Sequence, residues 1–324
     1  MRRFALALTT TLLIAAGCSD RGSEATEQPN TTDAAKTIAE PTVTDASAAA
    51  TSTDATSTTS VGSSFADRPY DVFVPSGYDP ATAAPLVILL HGYGASGALQ
   101  DIYFQLQPQA ESRGFLYVHP DAIPNVLGKT AWNATDACCV RDESPDDSAY
   151  ITHIIDEVSA AYNVDPVRIY LVGHSNGGFM SYRMACDHAD RIAAIVSLAG
   201  ATFADATNCA PSEPVNVLQI HGTNDEIISY DGGEILEVAY PGAQTTVATW
   251  AAYNGCATVT DSLGALDLDP TSDGGETSIV GSDACPVDGA VELWTIENGT
   301  HIPPLAPNFG AEVIDWLYAH PNAS

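Results

Sequence analysis

From about residue 68 onward, apolar runs alternate with amphipathic stretches. Residues 68–74 alternate apolar and polar positions, as in a half-buried strand. Residues 85–90 and 115–119 are continuous apolar runs, and residues 98–112 between them have the composition of a helix. Ile151, Ile154, Ile155, Val158 and Tyr162 recur at helical spacing, with Asp147 placed to cap that helix. A buried strand is predicted over 168–172 and a helix over 177–187. Further strands are predicted over 193–198 and 215–220, and helices over 243–253 and 310–319. Buried β runs interleaved with helices predict an α/β protein with a mostly parallel sheet and helices on both faces. Residues 257–290 are rich in Gly, Asp and Ser and have weak periodicity, so they read as an insertion clipped at Cys256 and Cys285.

The first part of the 324-residue chain has a different pattern. Arg2 and Arg3 precede an apolar run over 4–16, which ends in Ala15-Ala16-Gly17-Cys18. A basic start, a short apolar stretch and small residues at its end make residues 1–17 a secretory signal. The run is shorter than the roughly 20 residues that span a bilayer. Cys18 after Ala-Ala-Gly resembles a bacterial lipobox, and its lipidation would anchor the protein to a membrane without spanning it. Residues 18–64, rich in Thr, Ala, Ser and Asp, bury too little apolar surface to offset their ordering entropy. They are expected to tether a folded domain over 65–324. The expected location is outside the cell or on its envelope.

The formal net charge of −30, with Lys36 and Lys129 the two lysines, argues against a nucleic-acid partner, which requires a basic surface. Of seven cysteines, six remain once Cys18 is set aside, and an even count in an exported protein reads as disulfides. The expected pairs are Cys186 with Cys209 and Cys256 with Cys285. Cys138 and Cys139 are then left as a vicinal bridge or as free thiols. No Cys-x-x-Cys pair or His-x-x-x-His cluster suggests zinc, and no metal or cofactor is expected.

Gly173-His174-Ser175-Asn176-Gly177 fits Gly-x-Ser-x-Gly between a predicted strand and a predicted helix. The serine of such a turn is exposed on a sharp bend, and the glycines let strand and helix approach closely. A serine hydroxyl needs a base, and this arrangement takes its acid and then its histidine later in the chain. Asp225 follows the 215–220 strand, and His301 lies before the last helix. Glu226 and Asp231 compete for the acid position. His91, His174 and His221, beside strand ends, read as structural histidines. The oxyanion donors are expected to be the backbone N–H of Asn176 and that of Tyr93, in His91-Gly92-Tyr93-Gly94. Trp132 is a candidate for the substrate pocket or for core packing.

These residues carry a family resemblance. LVGHSNGGFMSYRMACDHADRIAAIVSLAG at 171–200, LLHGYGASG at 89–97, WNATDACCV at 132–140 and IHGTNDEIISYDGG at 220–233 occur in order. The chain resembles the poly(3-hydroxybutyrate) depolymerase and feruloyl esterase family, carbohydrate-esterase-type α/β-hydrolases, over roughly 68–319. The resemblance implies an α/β-hydrolase fold and a secreted carboxylesterase. Its substrates would be feruloyl or acetyl esters of plant polysaccharide, or short hydroxyalkanoate esters. A serine peptidase of the same fold and a non-catalytic ligand-binding lipoprotein are the alternatives. The family usually has Gly-Gly-Gly-His-x-Trp-Pro around its histidine. Here Asn298-Gly299-Thr300-His301-Ile302-Pro303-Pro304 puts Pro303 in place of the tryptophan, so an aromatic wall is missing at that point.

Overall fold

The strands that read as unbroken apolar runs are those buried on both faces of one sheet. In the computed structural model, described for residues 59–60, 65, 67–139, 145–272, 274–282, 284–286 and 289–322, β3 (Ala84–Leu90) is buried at every position. The secretory signal, Cys18 and nearly all of the 18–64 tether lie outside the described residues. In chain order the elements begin β1 (Thr59–Ser60), β2 (Asp71–Phe73), β3, α1 (Gly97–Phe104), α2 (Leu106–Arg113), β4 (Leu116–Val118) and α3 (Asp147–Ala161). They continue with β5 (Val164–His174), α4 (Asn176–Asp187), β6 (Ala194–Leu198), β7 (Asn216–Gly222) and the hairpin β8 (Gly232–Ile235) and β9 (Val238–Pro241). Last come α5 (Ala243–Tyr253), β10 (Asp261–Leu266), β11 (Thr277–Gly281), β12 (Val291–Ile296) and α6 (Phe309–Ala319).

The ten-stranded sheet runs β1-β2-β4-β3-β5-β6-β7-β12-β11-β10. The strands from β4 to β12 are parallel, and antiparallel pairs close both edges. Alternation along β3 sorts the core. Leu86, Ile88 and Leu90 pack with residues of α3, α4 and α5, including Ile154, Phe179 and Trp250. Val87 and Leu89 pack with α1, α2 and α6, including Phe104, Leu106 and Val313. The mostly parallel sheet covered on both faces is therefore the architecture expected.

Four local readings change. The predicted 98–112 helix is two helices, because Gln105 takes a left-handed conformation at φ 55°. Asp101 stabilises the break, its carboxylate accepting from the Gln107 N–H at 2.9 Å and the Tyr117 hydroxyl at 2.8 Å. The cap of α3 is Asp146, which accepts from the Ala149 N–H. Asp147 is instead buried, 2.6 Å from Arg68 and accepting from the Asn133 N–H. Residues 257–290 are clipped by the Cys256–Cys285 disulfide as expected, but they carry regular structure, since β10 and β11 extend the main sheet. The parallel strand β12 was not predicted. Glu292 interrupts its apolar run, but that carboxylate accepts from the Trp294 indole at 2.9 Å within the strand.

Disulfides join Cys186 to Cys209, Cys256 to Cys285, and Cys138 to Cys139. The first two span sequence separations of 23 and 29 residues, so each stabilises by about 3–4 kcal/mol in the chain-entropy model.

Candidate active site

Ser175 stands between the end of β5 and the start of α4 with φ 53° and ψ −120°, a sparsely populated conformation for a residue with a side chain. Two glycines permit the bend. A Cβ on Gly173 would lie 2.1 Å from the Gly177 carbonyl oxygen, and one on Gly177 would lie 2.0 Å from that of Leu90. The Ser175 N–H donates to Leu198 on β6, which pins the turn to the next strand.

Asp225 and His301 reach this serine from loops at the carboxyl ends of β7 and β12. His301 Nε2 is 2.9 Å from Ser175 Oγ, and His301 Nδ1 is 2.8 Å from Asp225 Oδ2. The carboxylate accepts at Nδ1, which therefore carries the proton and leaves Nε2 free to accept from the serine hydroxyl. Asp225 Oδ1 accepts from the N–H groups of Ile227 and Ile228 at 2.9 and 2.8 Å. Burial alone would raise the Asp225 pKa. Hydrogen bonds from His221, His301 and the Ile227 N–H outweigh it and hold the carboxyl well below the usual carboxylate range. Glu226 and Asp231 are exposed and do not join this chain of contacts.

Three buried histidines brace the loops. His174 Nε2 donates to the His301 carbonyl at 3.0 Å. Burial, and after it the nearby His301 ring, lower the His174 pKa to about 4, so at neutral pH it is uncharged. His91 Nδ1 donates to Gly92 and its Nε2 accepts from the Ala122 N–H; burial likewise lowers its pKa. His221 Nε2 donates to Ile228 at 2.8 Å and lies 3.4 Å from Asp225 Oδ2.

Ser175 opens onto a cleft of about 790 Å³. Its lining includes Ile123, Val126, Leu127, Ile227, Ile235 and Leu236, with Ala131 and Cys139. Among the described residues, Glu234 is the one ionisable carboxylate of the lining, and Tyr93 its one aromatic ring. In the loop after β3, Gly92, Gly94 and Ala95 donate their N–H groups within the protein. The N–H of Tyr93 has no acceptor among the described residues, nor does that of Asn176 in the first turn of α4.

Trp132 does not line the cleft, which corrects its placement in the substrate pocket. Its side chain is wholly buried, and the indole N–H donates to the His91 carbonyl at 3.0 Å. The indole needs a buried acceptor and the strand end supplies one, so the ring packs beneath the site. The wall contributed by the β8–β9 hairpin was missed. That hairpin is short and opens on Gly232-Gly233-Glu234, which gives no apolar alternation to read. Among the described residues, no group of three His, Cys, Asp or Glu side chains is placed to hold a metal ion.

A parallel sheet with a strained serine turn at its centre, and with acid and histidine following on later strands, defines an α/β-hydrolase. Residues 71–257 match the phospholipase/carboxylesterase family, and the chain belongs to that family. It is similar to feruloyl esterase B of Piromyces equi, with 32% identity over 190 residues, 56% of this chain and 34% of that protein. A bifunctional acetylxylan esterase/xylanase of Neocallimastix patriciarum is 30% identical over 165 residues, 51% of this chain and 22% of that protein. The chain thus spans about a third or less of the length of these two relatives. Among solved structures, an acetyl xylan esterase from Aspergillus awamori shares the fold with a TM-score of 0.58. At 14% identity, that match covers 81% of this chain and 99% of that one.

Proposed function

We propose that this protein is a serine carboxylesterase acting on feruloyl or acetyl esters of plant polysaccharide. The observation that carries the reading is the hydrogen-bonded line from Asp225 through His301 to Ser175, which lines an apolar cleft. Ser175 Oγ attacks the ester carbonyl carbon as its proton passes to His301 Nε2. The N–H groups of Tyr93 and Asn176 stabilise the oxyanion. His301 returns the proton to the departing alcohol oxygen, leaving an acyl-enzyme. A water molecule then attacks the acyl carbon by the same relay, and the carboxylic acid departs. Asp225, held as an anion, stabilises the imidazolium formed in each half-reaction.

The apolar lining of the cleft and the likeness to a feruloyl esterase and an acetylxylan esterase support this ester class. Short hydroxyalkanoate esters are a second substrate class, consistent with the aliphatic lining. The reading extends to the first residues of the chain. A signal over 1–17, a lipid on Cys18 and a tether over 18–64 would hold the catalytic domain outside the cell. The test is a comparison of methyl ferulate, acetylated xylan and hydroxybutyrate oligomers, together with fluorophosphonate labelling. Label on Ser175 with turnover of at least one of these esters is expected. Absence of label on the folded protein would overturn the assignment.

A further inference from the structure

Asn176 bears a side chain with no part in the chemistry above, yet it is fully buried and bonded at both ends. Its Oδ1 accepts from the Trp132 N–H at 2.7 Å, and its Nδ2 donates to the Trp132 carbonyl at 2.9 Å and lies 3.6 Å from Cys138 Sγ. An amide that pairs with both the N–H and the carbonyl of one residue has a single orientation. The segment it grips is also held from the other side. The Asn133 N–H donates to Asp147 at 2.6 Å, and Arg183 donates to the Asn133 carbonyl at 2.7 Å. The same segment presents Ala131 and Cys139 to the cleft.

The backbone of Ser175 has no intrinsic preference for its observed conformation, so contacts must fix the orientation of the following peptide. Asn176 supplies that peptide's N–H and is itself fixed through Trp132. We propose that the side-chain amide of Asn176 is a positioning residue. It locks its own backbone N–H toward the developing oxyanion and ties that lock to the cleft wall at Ala131 and Cys139. This inference rests on the esterase reading. A filler of core volume would not need two complementary bonds to one peptide, and its loss would not act selectively on the transition state.

The experiment begins with fluorophosphonate labelling of the native full chain, because failure to label Ser175 counts against the esterase reading and not against this one. Kinetics then compare native enzyme, Asn176→Ala and Arg183→Met on one ester, alongside the affinity of a trifluoromethyl ketone that forms a tetrahedral adduct. For Asn176→Ala, kcat should fall about 30-fold with KM within about threefold, since small misplacement of an oxyanion donor is costly. The ketone should weaken by the same factor. Arg183→Met, which removes one anchor of the segment but leaves the Asp147 bond and both Asn176–Trp132 bonds in place, should keep kcat within about threefold of native. A folded Asn176→Ala with near-native kcat, a loss that lies wholly in KM, or an equal kcat loss in Arg183→Met overturns the proposal. If Asn176→Ala lacks a native near-UV spectrum, Asn176→Leu takes its place with the same expectations, since it keeps the buried volume and loses both bonds to Trp132. If neither variant folds, the amide is a structural element and the proposal falls.

Discussion

His174 should make the protein lose stability on mild acidification. The folded state buries the imidazole as a neutral donor to the His301 carbonyl and lowers its pKa from the ordinary 6.5 to about 4. Between those values the unfolded chain binds a proton that the folded chain refuses, so stability falls as pH falls. The contribution is intact above pH 6.5 and fully lost below about pH 4. Its full size is about 3.4 kcal/mol at about 1.4 kcal/mol per pH unit, and about 2 kcal/mol of it should be gone at pH 5. His174→Gln replaces the ring with a side chain that cannot titrate but keeps an N–H donor for His301. Urea unfolding at pH 7 and pH 5 measures the difference, provided the denaturant slope is unchanged. His91 contributes equally to both proteins and cancels. Asp225, whose folded pKa is also depressed, loses its contribution only below its unfolded value of about 3.9, outside this window. Native protein should lose about 2 kcal/mol more than the variant between pH 7 and pH 5. Parallel losses would refute the reasoning and show that His174 accepts a proton without penalty.

Three further outcomes are expected. Ser175→Ala should lower turnover at least about a thousandfold with thermal unfolding unchanged, because it removes the nucleophile and little buried bulk; near-native turnover excludes Ser175. Replacing Cys186 and Cys209 together by Ala should lower the unfolding free energy by about 3 kcal/mol in urea titrations; an unchanged midpoint would show that packing alone holds this loop. Glu234→Gln should raise kcat/KM for an ester bearing a free carboxylate roughly threefold relative to a neutral ester, and added salt should shrink the native enzyme's bias; equal effects on both esters would remove Glu234 from substrate selection.

What the sequence revealed depends on how each element is buried. β3, the second half of β5, and β7 are covered on both faces, so they appear as unbroken apolar runs. β10 is exposed along nearly its whole length and its composition matches a loop. β12 carries a glutamate whose partner lies two residues along the same strand, a pairing that periodicity does not register. The serine turn was legible because a Cβ on Gly173 or Gly177 would lie 2.1 or 2.0 Å from a carbonyl oxygen, and that requirement leaves a fixed glycine spacing in the sequence. The choice among Asp225, Glu226 and Asp231 could be ranked only by distance from a strand end. In space, the two N–H groups of Ile227 and Ile228 turn Asp225 inward and leave the others outside. Trp132 shows the opposite limit. An aromatic residue near a site suits a pocket and a core equally, and the indole's need for the His91 carbonyl becomes visible only when the chain is folded.

The arrangement of histidines explains how loops can carry the site without losing its geometry. His91, His174 and His221 each sit at or next to the end of a parallel strand, on β3, β5 and β7. Each donates a ring N–H to the backbone of a loop that bears a functional group: Gly92 before Tyr93, His301 itself, and Ile228 beside Asp225. A lysine or arginine there would bring a permanent charge, and burying it without a partner would cost more than the loop bond returns. A neutral imidazole donates one bond, accepts another, and has the rigid reach to span from sheet to loop. His91 uses both nitrogens in this way, accepting from the Ala122 N–H, and His221 accepts from the Gln219 amide. The carboxyl ends of the strands thus supply a second layer of fixed donors beneath the loops. That layer is secure only while His91 and His174, whose burial disfavours the charged ring, stay neutral, which ties the integrity of the site to pH.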